Sequence, residues 1–281
     1  MTGEYDQIRD QQRHTWDRFS AGWKRWDAFV GGWLAPVETT MIRHAALQGA
    51  AEVLDVASGT GEPGLTAAAA VPHGRVTLTD LSERMLTIAS DNAAQRGLGN
   101  VETRICDAGS LPFADGSFDT VLCRFGFMFV PDEDEAANEF ARVARPQARI
   151  VAAVWGSPDA NPWATTIMGT IARHVALPAA SPGSPGLFRC SPDGYMRGVF
   201  ARAGLHHISE EEVSFELVHD SPEQYWDFMA DIAAPAVAGL AKASDVVQQA
   251  IHAEVLGLAQ QHLRDSRVCM RSTATVVTGI R

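Results

Sequence analysis

The alternation of apolar and polar positions divides the middle of the chain into strand-like and helical runs. The strand-like runs are AEVLDVA, RVTLTD, VETRICD, FDTVLCRF and ARIVAAVW. Helical runs lie between them, and these are PGLTAAAAV, MLTIASDNAAQRG and DEAANEFARVAR. Strands that alternate with helices are typical of a doubly wound α/β fold built on a parallel sheet. We therefore expect residues 46–156 to form the core of such a fold.

After Trp155 the alternation of strand-like and helical runs is less regular, and residues 157–281 do not continue the simple strand–helix repeat. The sequence there predicts a loop at LPAASPGSPGLF (177–188), a helix near 193–203 and a strand near 208–218. The last strand-like run, TATVVTGI, follows a helical region rich in Ala, Val and Leu. We interpret this region, about residues 219–268, as a helical insertion between the last two strands, placed to line an acceptor pocket.

The N-terminal residues 1–45 carry an aromatic stripe. Its members recur at intervals of three and four and are Trp16, Phe19, Trp23, Trp26, Val30 and Trp33. This spacing predicts one amphipathic helix, which Gly22 and the Gly31–Gly32 pair would weaken. The helix could pack on the flank of the domain, cover the active site as a lid, or join the chain to a second copy in a homo-oligomer.

Composition and charge narrow the range of partners. The net charge is −11 and no Lys/Arg cluster occurs, which argues against nucleic acid and anionic membranes as partners. No apolar run reaches the ~18 residues of a membrane span, and no secretory signal is recognisable, so we expect a cytoplasmic protein. The four cysteines form no CxxC pair, and we expect neither a metal site nor disulfides.

The segment Asp55-Val56-Ala57-Ser58-Gly59-Thr60-Gly61 joins a strand to a helix through small residues. Gly59 and Gly61 permit a tight turn, Thr60 can cap the new helix, and Pro63 suits its first turn. Asp55 can accept hydrogen bonds from the amides of the loop. A glycine loop by itself is weak evidence, because dinucleotide-binding folds use a similar turn.

Acidic residues follow three successive strands: Asp55, Asp80 and Asp107. The carboxyl ends of parallel strands share one edge of the sheet, so we expect these carboxylates to converge on one crevice. Asp80, 19 positions after Gly61, can accept hydrogen bonds from both ribose hydroxyls of an adenosine cofactor. This leaves S-adenosylmethionine and NAD open. A pyrophosphate would be repelled by the three acids, whereas a sulfonium with an amino group would be attracted.

The sequence resembles the class I S-adenosylmethionine-dependent methyltransferases, in particular the ubiquinone/menaquinone-biosynthesis-like (type 11) branch that includes bacterial natural-product enzymes. The matching motifs are VLDVASGTGEPGLTAA, TLTDLSERMLTIA, CDAGSLPFADGSFDTVLCRFGFMFV and FARVARPQARIVAAVW. The resemblance is close over residues 50–156 and loose elsewhere. It implies a Rossmann-like sheet of seven strands, with the N-terminal helical lid and the helical insertion as additions.

The resemblance also implies roles for individual residues. Ala57, Ser58 and Gly59 would line the methionine moiety, and Asp80 would hold the ribose. At the adenine, Leu81 and Met85 would flank the ring, Asp107 would accept its amino hydrogen, and the Ala108 amide would meet a ring nitrogen. Arg124 and Phe125 would lie under the sulfonium.

Two positions of the glycine loop leave questions open. Ala57 stands where the family usually has glycine, and we expect alanine to forbid a strained φ there. Glu62 either stabilises the start of the helix through its charge or meets the amino group of the cofactor. The sequence does not favour one of these roles over the other.

The sequence therefore predicts methyl transfer from S-adenosyl-L-methionine to carbon, nitrogen or oxygen of a small apolar or aromatic acceptor, in secondary or quinone-like metabolism. The alternatives are an NAD(P)-dependent oxidoreductase, which would want a Tyr-x-x-x-Lys or similar hydride-handling pair that is missing, and a non-catalytic cofactor-binding protein. No histidine is placed beside a substrate by its sequence context, and we name no catalytic base.

Overall fold

The computed structural model describes residues 2–176, 184–233, 240–241 and 243–281. Its strands are β1 (Glu52–Val56), β2 (Arg75–Asp80), β3 (Val101–Ile105), β4 (Phe118–Arg124), β5 (Ala144–Trp155), β6 (His206–His219), β7 (Leu263–Arg264) and β8 (Arg267–Ile280). Its helices are α1 (Thr2–Arg25), α2 (Asp27–Ala45), α3 (Gly64–Ala70), α4 (Glu83–Gln95), α5 (Glu133–Val143), α6 (Pro162–His174), α7 (Tyr195–Arg202), α8 (Pro222–Ile232) and α9 (Asp245–Gln260). Short 3₁₀ turns occupy Phe127–Phe129 and Pro158–Ala160.

The strands form one sheet in the order β3-β2-β1-β4-β5-β8-β6, with the two-residue β7 paired to β8. The strands β1 to β5 pair in parallel, as predicted. The last strand, β8, runs antiparallel to both β5 and β6, so the sheet is mostly parallel. The seven-stranded Rossmann-like fold is confirmed. The order of strands reverses between β1 and β4, and such switch points are where α/β sheets bind ligands.

The structure has strands at the runs predicted in the middle of the chain. These runs are recognisable because their side chains are apolar and buried on both faces of the sheet. Val53, Leu54, Val121 and Leu122 are fully buried between the helical layers. Branched apolar residues at such positions favour strands and stabilise the fold by removing apolar surface from water.

Two features of the second half differ from the prediction. The helix α6 was not predicted, although Pro162 at its start and buried residues at helical spacing, Trp163, Ile167 and Ile171, are signals for it. The strand β8 begins at Arg267, before the predicted run TATVVTGI, because its antiparallel pairing with β6 extends to the His219–Val268 pair. Helices α8 and α9 lie in the expected insertion, whereas 177–183 of the predicted loop lies outside the described residues.

The N-terminal segment forms two consecutive helices rather than one. They are separated at Trp26, whose φ and ψ are −97° and 9°, although Trp26 N still bonds to Gly22 O at 3.1 Å. Gly22 has a packing role that the sequence did not reveal. A Cβ at Gly22 would lie 2.3 Å from the carbonyl oxygen of Asp231, so glycine lets α1 cross closely over the end of α8.

Candidate functional site

The glycine loop between β1 and α3 is held from below by Asp55. Its side chain is fully buried, and Oδ2 accepts a hydrogen bond from Gly64 N at 2.8 Å. A Cβ at Gly64 would lie 2.8 Å from the same oxygen, so only glycine allows this approach. Burial raises the pKa of Asp55 well above its usual range. The predicted role of Asp55 as an acceptor for loop amides is therefore seen in the structure.

Asp80 connects the glycine loop to the start of α4. Its Oδ2 accepts a hydrogen bond from Gly59 N at 3.0 Å, and its Oδ1 accepts one from Ser82 N at 2.9 Å. Burial raises the pKa of the Asp80 carboxyl, while these amide bonds lower it. The structure thus brings Gly59 and Asp80, two of the predicted site residues, into direct contact.

The start of α3 differs from the prediction for Thr60. Pro63 occupies the N-cap position and makes no side-chain capping bond. Thr60 is buried in the loop, where its carbonyl oxygen accepts a hydrogen bond from Asn92 Nδ2 at 3.0 Å. The helix starts later than expected, and Oε2 of Glu62 takes over the capping by accepting Thr66 N at 3.1 Å. Thr60 is therefore not a cap.

Ala57 and Phe125, at the ends of the neighbouring strands β1 and β4, both have positive φ angles, 55° and 60°. The expectation that alanine forbids a strained φ at position 57 is wrong. The two strand ends are closely packed here, because a Cβ at Gly126 would lie 2.8 Å from the Ala57 Cβ, so position 126 requires glycine. Phe125 is fixed by stacking on Trp155, with 4.2 Å between ring centroids and 8° between planes. Backbone strain of this kind clusters at functional sites.

The predicted adenine-side residues lie after β2 and β3, on the same edge. Met85 and Ala108 are buried, while Leu81 is partly exposed. Asp107 accepts a hydrogen bond from Gly109 N at 3.1 Å through Oδ1, and its Oδ2 forms an ion pair with Arg9 Nε. The Arg9 contact was not predicted, because nothing in the sequence places a residue of α1 against β3.

The first helix lies across this edge of the sheet. Besides Arg9, Asp17 contacts the site, since its Oδ1 accepts a hydrogen bond from Ser82 Oγ at 2.6 Å. Lys24 Nζ donates to Asn92 Oδ1 at 2.7 Å, and Asn92 in turn contacts the glycine loop through its bond to Thr60 O. Residues along the whole of α1 therefore contact the elements that carry the candidate site.

The aromatic stripe divides into parts with different surroundings. Trp16 meets Trp23 edge-on, with ring centroids 6.1 Å apart, and Phe129 at 5.2 Å, just beyond β4. Trp33 is instead a core residue, 7% exposed, whose Nε1 donates to Ser272 Oγ at 3.1 Å. Trp33 thus packs in the core, whereas Trp16 lies against Phe129 beyond the end of β4.

His219 is a buried histidine whose environment the sequence did not indicate. It stacks on Phe29 with ring centroids 4.5 Å apart, and its Nδ1 lies 3.3 Å from Gln224 Oε1. Burial lowers the pKa of His219 to about 4, so the ring is neutral at pH 7. Among the described residues, Nε2 of His219 has no hydrogen-bond partner.

Comparison with known proteins agrees with this geometry. A family model described as a methyltransferase domain matches residues 53–147. An uncharacterised protein of Mycobacterium bovis is 30% identical over 236 residues, which cover 83% of this chain and 82% of that protein. The ubiquinone/menaquinone biosynthesis C-methyltransferase UbiE of Pseudomonas entomophila is 34% identical over 134 residues, 47% of this chain and 52% of the enzyme. The chain belongs to the class I S-adenosylmethionine-dependent methyltransferases.

The fold is also that of solved structures. The YcgJ protein of Bacillus subtilis superposes with a TM-score of 0.56 at 20% identity, over 87% of this chain and 97% of that one. As a member of this family the chain is an enzyme that uses S-adenosylmethionine, and the nicotinamide alternative is set aside. No helix in the described ranges combines the length and apolar character needed to cross a membrane.

The residues at the carboxyl edge fit an adenosyl cofactor with an amino-acid tail. Several buried polar atoms near the edge have no hydrogen-bond partner within the described part of the chain. These atoms are Asp55 Oδ1, Ser58 Oγ, Arg124 Nη1 and Trp23 Nε1. Other unpartnered atoms, on Arg189, His219 and Thr278, lie elsewhere. Buried polar groups are normally paired, so the unpartnered donors and acceptors at this edge favour a polar ligand there.

Proposed function

We propose that this methyltransferase acts on a small apolar or aromatic molecule, transferring the methyl group to carbon, nitrogen or oxygen in secondary or quinone-like metabolism. The observation that carries the cofactor site of this enzyme is the organisation of Asp80 at the end of β2, one strand away from the switch point, where its carboxylate is fixed by the Gly59 and Ser82 amides. A carboxylate held in this way is preorganised to accept hydrogen bonds from ribose hydroxyls.

The cofactor-binding residues follow from the same edge. We assign the adenine to Leu81, Met85, Asp107 and Ala108, and the ribose to Asp80. The methionine moiety and the sulfonium are assigned to the glycine loop and the end of β4, that is to Ala57, Ser58, Gly59, Thr60, Gly61, Arg124 and Phe125, above Asp55.

We assign the acceptor to the part of the site beyond the end of β4, where aromatic side chains lie. Phe125 directly follows β4 and stacks on Trp155. Trp16 packs against Trp23 and against Phe129, which is four positions after Phe125. Aromatic faces attract a sulfonium cation and offer a planar acceptor a surface to stack on. This arrangement supports an acceptor with a flat, apolar part.

The chemistry needs few groups from the protein. S-adenosylmethionine supplies an electrophilic methyl group, and the chain contributes alignment of the acceptor and exclusion of water. We assign no general base, since a nucleophilic carbon, nitrogen or phenolate oxygen can react when it is well aligned.

We further propose that residues 1–45 act as a lid. The support is the set of contacts that α1 makes with Asp107, a proposed cofactor residue, and with Ser82 and Asn92, which are neighbours of the proposed residues Leu81 and Thr60. A helix that rests on these three positions would have to shift to admit a cofactor, and would exclude water once it had closed again.

The first test is native mass spectrometry of the purified protein, searched for a co-purified adenosyl ligand and acceptor. Acceptor use is then measured as S-adenosylhomocysteine release with phenols, quinols and aromatic amines, and with phosphate esters and peptides as contrasting classes. We expect turnover only with planar apolar acceptors. Turnover confined to the contrasting classes, or S-adenosylhomocysteine binding without any transfer, would refute the proposed acceptor class.

A further inference from the structure

Arg124, the last residue of β4, is a buried cation with an unsatisfied donor. Its side chain is 9% exposed, and Nη1 has no hydrogen-bond partner among the described residues. The acid beside it is Glu38 of α2, whose Oε2 lies 4.0 Å from Arg124 Nη1. This separation is too long for a hydrogen bond, so the two charges attract each other without satisfying the donor.

Glu38 is held in place by the helix that follows the glycine loop. Its Oε1 accepts a hydrogen bond from Thr66 Oγ1 at 2.5 Å, which leaves Oε2 directed to the Arg124 side. Burial and the nearby Glu62 raise the pKa of the Glu38 carboxyl, while Arg124 lowers it. A further positive group between these residues would therefore stabilise the ionised form of Glu38.

Glu62, which follows the glycine loop, is engaged elsewhere. Its Oε1 forms an ion pair with Arg96 of α4, and its Oε2 accepts the Thr66 amide. Of the two roles open to Glu62 from the sequence, these contacts favour stabilisation of α3. Glu38, contributed by the N-terminal region, keeps Oε2 4.0 Å from Arg124 Nη1. Asp55, whose buried carboxyl also has an unpartnered oxygen, is held by the Gly64 amide beneath the loop.

We propose that Glu38 and Arg124 together bind the amino-acid end of S-adenosylmethionine, with Glu38 accepting from the α-ammonium and Arg124 donating to the α-carboxylate. The inference rests on the proposed cofactor site. An α-amino acid carries opposite charges on neighbouring atoms, and Arg124 Nη1 and Glu38 Oε2 present the complementary charges 4.0 Å apart. The ligand would supply the acceptor that Arg124 Nη1 lacks.

In this arrangement the methionine part of the cofactor contacts α2 directly. Glu38 lies on α2, Arg124 on β4, and Thr66 on α3, so a ligand bound between them would connect the N-terminal helices to the sheet. Adenosine alone would not make this connection.

The test compares two ligands on the full-length chain by calorimetric titration. S-adenosylhomocysteine carries the amino-acid end, and 5′-methylthioadenosine lacks it. We expect Glu38→Gln and Arg124→Met each to weaken S-adenosylhomocysteine binding by ~10-fold or more and to change 5′-methylthioadenosine binding by less than ~2-fold, since a charge-assisted hydrogen bond is lost with one ligand only. Glu211→Gln is the matched control, because Glu211 pairs with Arg43 of α2 outside the site.

Each outcome decides the proposal. Equal weakening of both ligands, or unchanged binding of both by a Glu38→Gln variant, would overturn it, because the pair would then have only a structural role or none. Binding of 5′-methylthioadenosine also shows that each variant is folded. Failure of the proposed cofactor site would look different, since the wild-type chain would bind neither ligand.

Discussion

Arg9 of α1 forms an ion pair with Asp107, the residue assigned to the adenine amino group. Arg9 also reaches Glu135 of α5 at 3.0 Å, and the side chains of Arg9 and Asp107 are only 21% and 17% exposed. Because Oδ1 of Asp107 is occupied by the Gly109 amide, Arg9 and an adenine would compete for Oδ2. The first helix thus holds the carboxylate that the cofactor is expected to use.

Replacing Arg9 should make cofactor entry faster. A partly buried ion pair contributes about 1 kcal/mol, so Arg9→Ala is expected to raise the association rate of S-adenosylhomocysteine roughly fivefold, as measured by stopped-flow tryptophan fluorescence. The control is Arg13→Ala, which removes the exposed pair with Asp10 on the same helix. Equal effects of the two substitutions, or slower association after Arg9→Ala, would show that the Arg9–Asp107 ion pair does not slow cofactor entry.

Asp80→Asn should reduce both cofactor affinity and stability. The amide that replaces the carboxylate keeps one acceptor and turns a donor toward the Gly59 or the Ser82 amide. We expect S-adenosylhomocysteine affinity to fall at least ~10-fold and the free energy of unfolding to fall by about 1–3 kcal/mol. Titration calorimetry and thermal melts measure the two effects. Asp91→Asn, an exposed change on α4, is the control, and unaltered affinity in a folded Asp80→Asn protein would remove Asp80 from the site.

The sheet was predictable because its strands carry continuous apolar runs with turn signals between them. The run Val76–Asp80, for example, forms the predicted strand with its acid at the predicted edge. Strands and glycine loops can be read from sequence because the residues concerned lie within one strand and the loop after it. The hydrogen bond from Gly59 N to Asp80, by contrast, joins two neighbouring strands and was not predicted.

The contacts made by the N-terminal helices could not be predicted in this way. Arg9 and Asp107 are far apart in sequence, as are Glu38 and Arg124, and no periodicity links them. The aromatic stripe was visible, yet its spacing did not show that Trp33 packs in the core while Trp16 lies near Phe129. Such pairings depend on how separate elements dock, and single-sequence patterns do not encode that.

Ala57→Gly should stabilise the protein. Alanine at a φ of 55° costs about 1–2 kcal/mol relative to a right-handed conformation, and glycine avoids most of this cost. Allowing for the entropy of glycine in the unfolded chain, we expect a gain of about 1 kcal/mol by scanning calorimetry. Ala35→Gly, in an exposed position inside α2, should instead destabilise by about 1 kcal/mol. A loss of stability in both variants would contradict strain at Ala57.

His219 should make the protein less stable in mild acid. Its pKa is lowered by burial to about 4 in the folded chain, against an ordinary value near 6.5 in the unfolded chain. Between these values the unfolded chain binds a proton that the folded chain does not. The loss of folding stability caused by His219 is therefore absent above pH 6.5 and grows as the pH falls. It reaches at most about 3 kcal/mol near pH 4.

The His219 effect is isolated by comparing variants in urea unfolding at pH 7.0 and 4.5. Asp55 titrates in the opposite sense, because burial raises its pKa, so only the difference from the wild type is informative. His219→Phe keeps the stacking on Phe29 and should lose a smaller fraction of its stability on acidification. His73→Gln, at an exposed position, should behave as the wild type does. An undiminished acid loss in His219→Phe would show that other groups cause it.

Substitutions of Trp23 and Trp33, two tryptophans of the same stripe, should distinguish a lid from a helix that only packs on the core. Trp23 is half-buried, lies beside Trp16, and has an Nε1 without a partner in the described residues, whereas Trp33 is buried and bonded to Ser272. Trp23→Ala should speed S-adenosylhomocysteine dissociation about tenfold and lower methyl transfer strongly, because an incompletely closed site admits water.

Trp33→Phe should instead lower the melting temperature, because it removes core packing and the hydrogen bond to Ser272. The rates of S-adenosylhomocysteine dissociation and of methyl transfer per folded molecule should stay within about twofold of the wild type. Size-exclusion chromatography of both variants tests the remaining alternative, since a contact between copies through the stripe would change the elution volume of Trp23→Ala. Normal dissociation and turnover in a destabilised Trp23→Ala protein would mean that α1 is a packing helix throughout, and the lid would have to be abandoned.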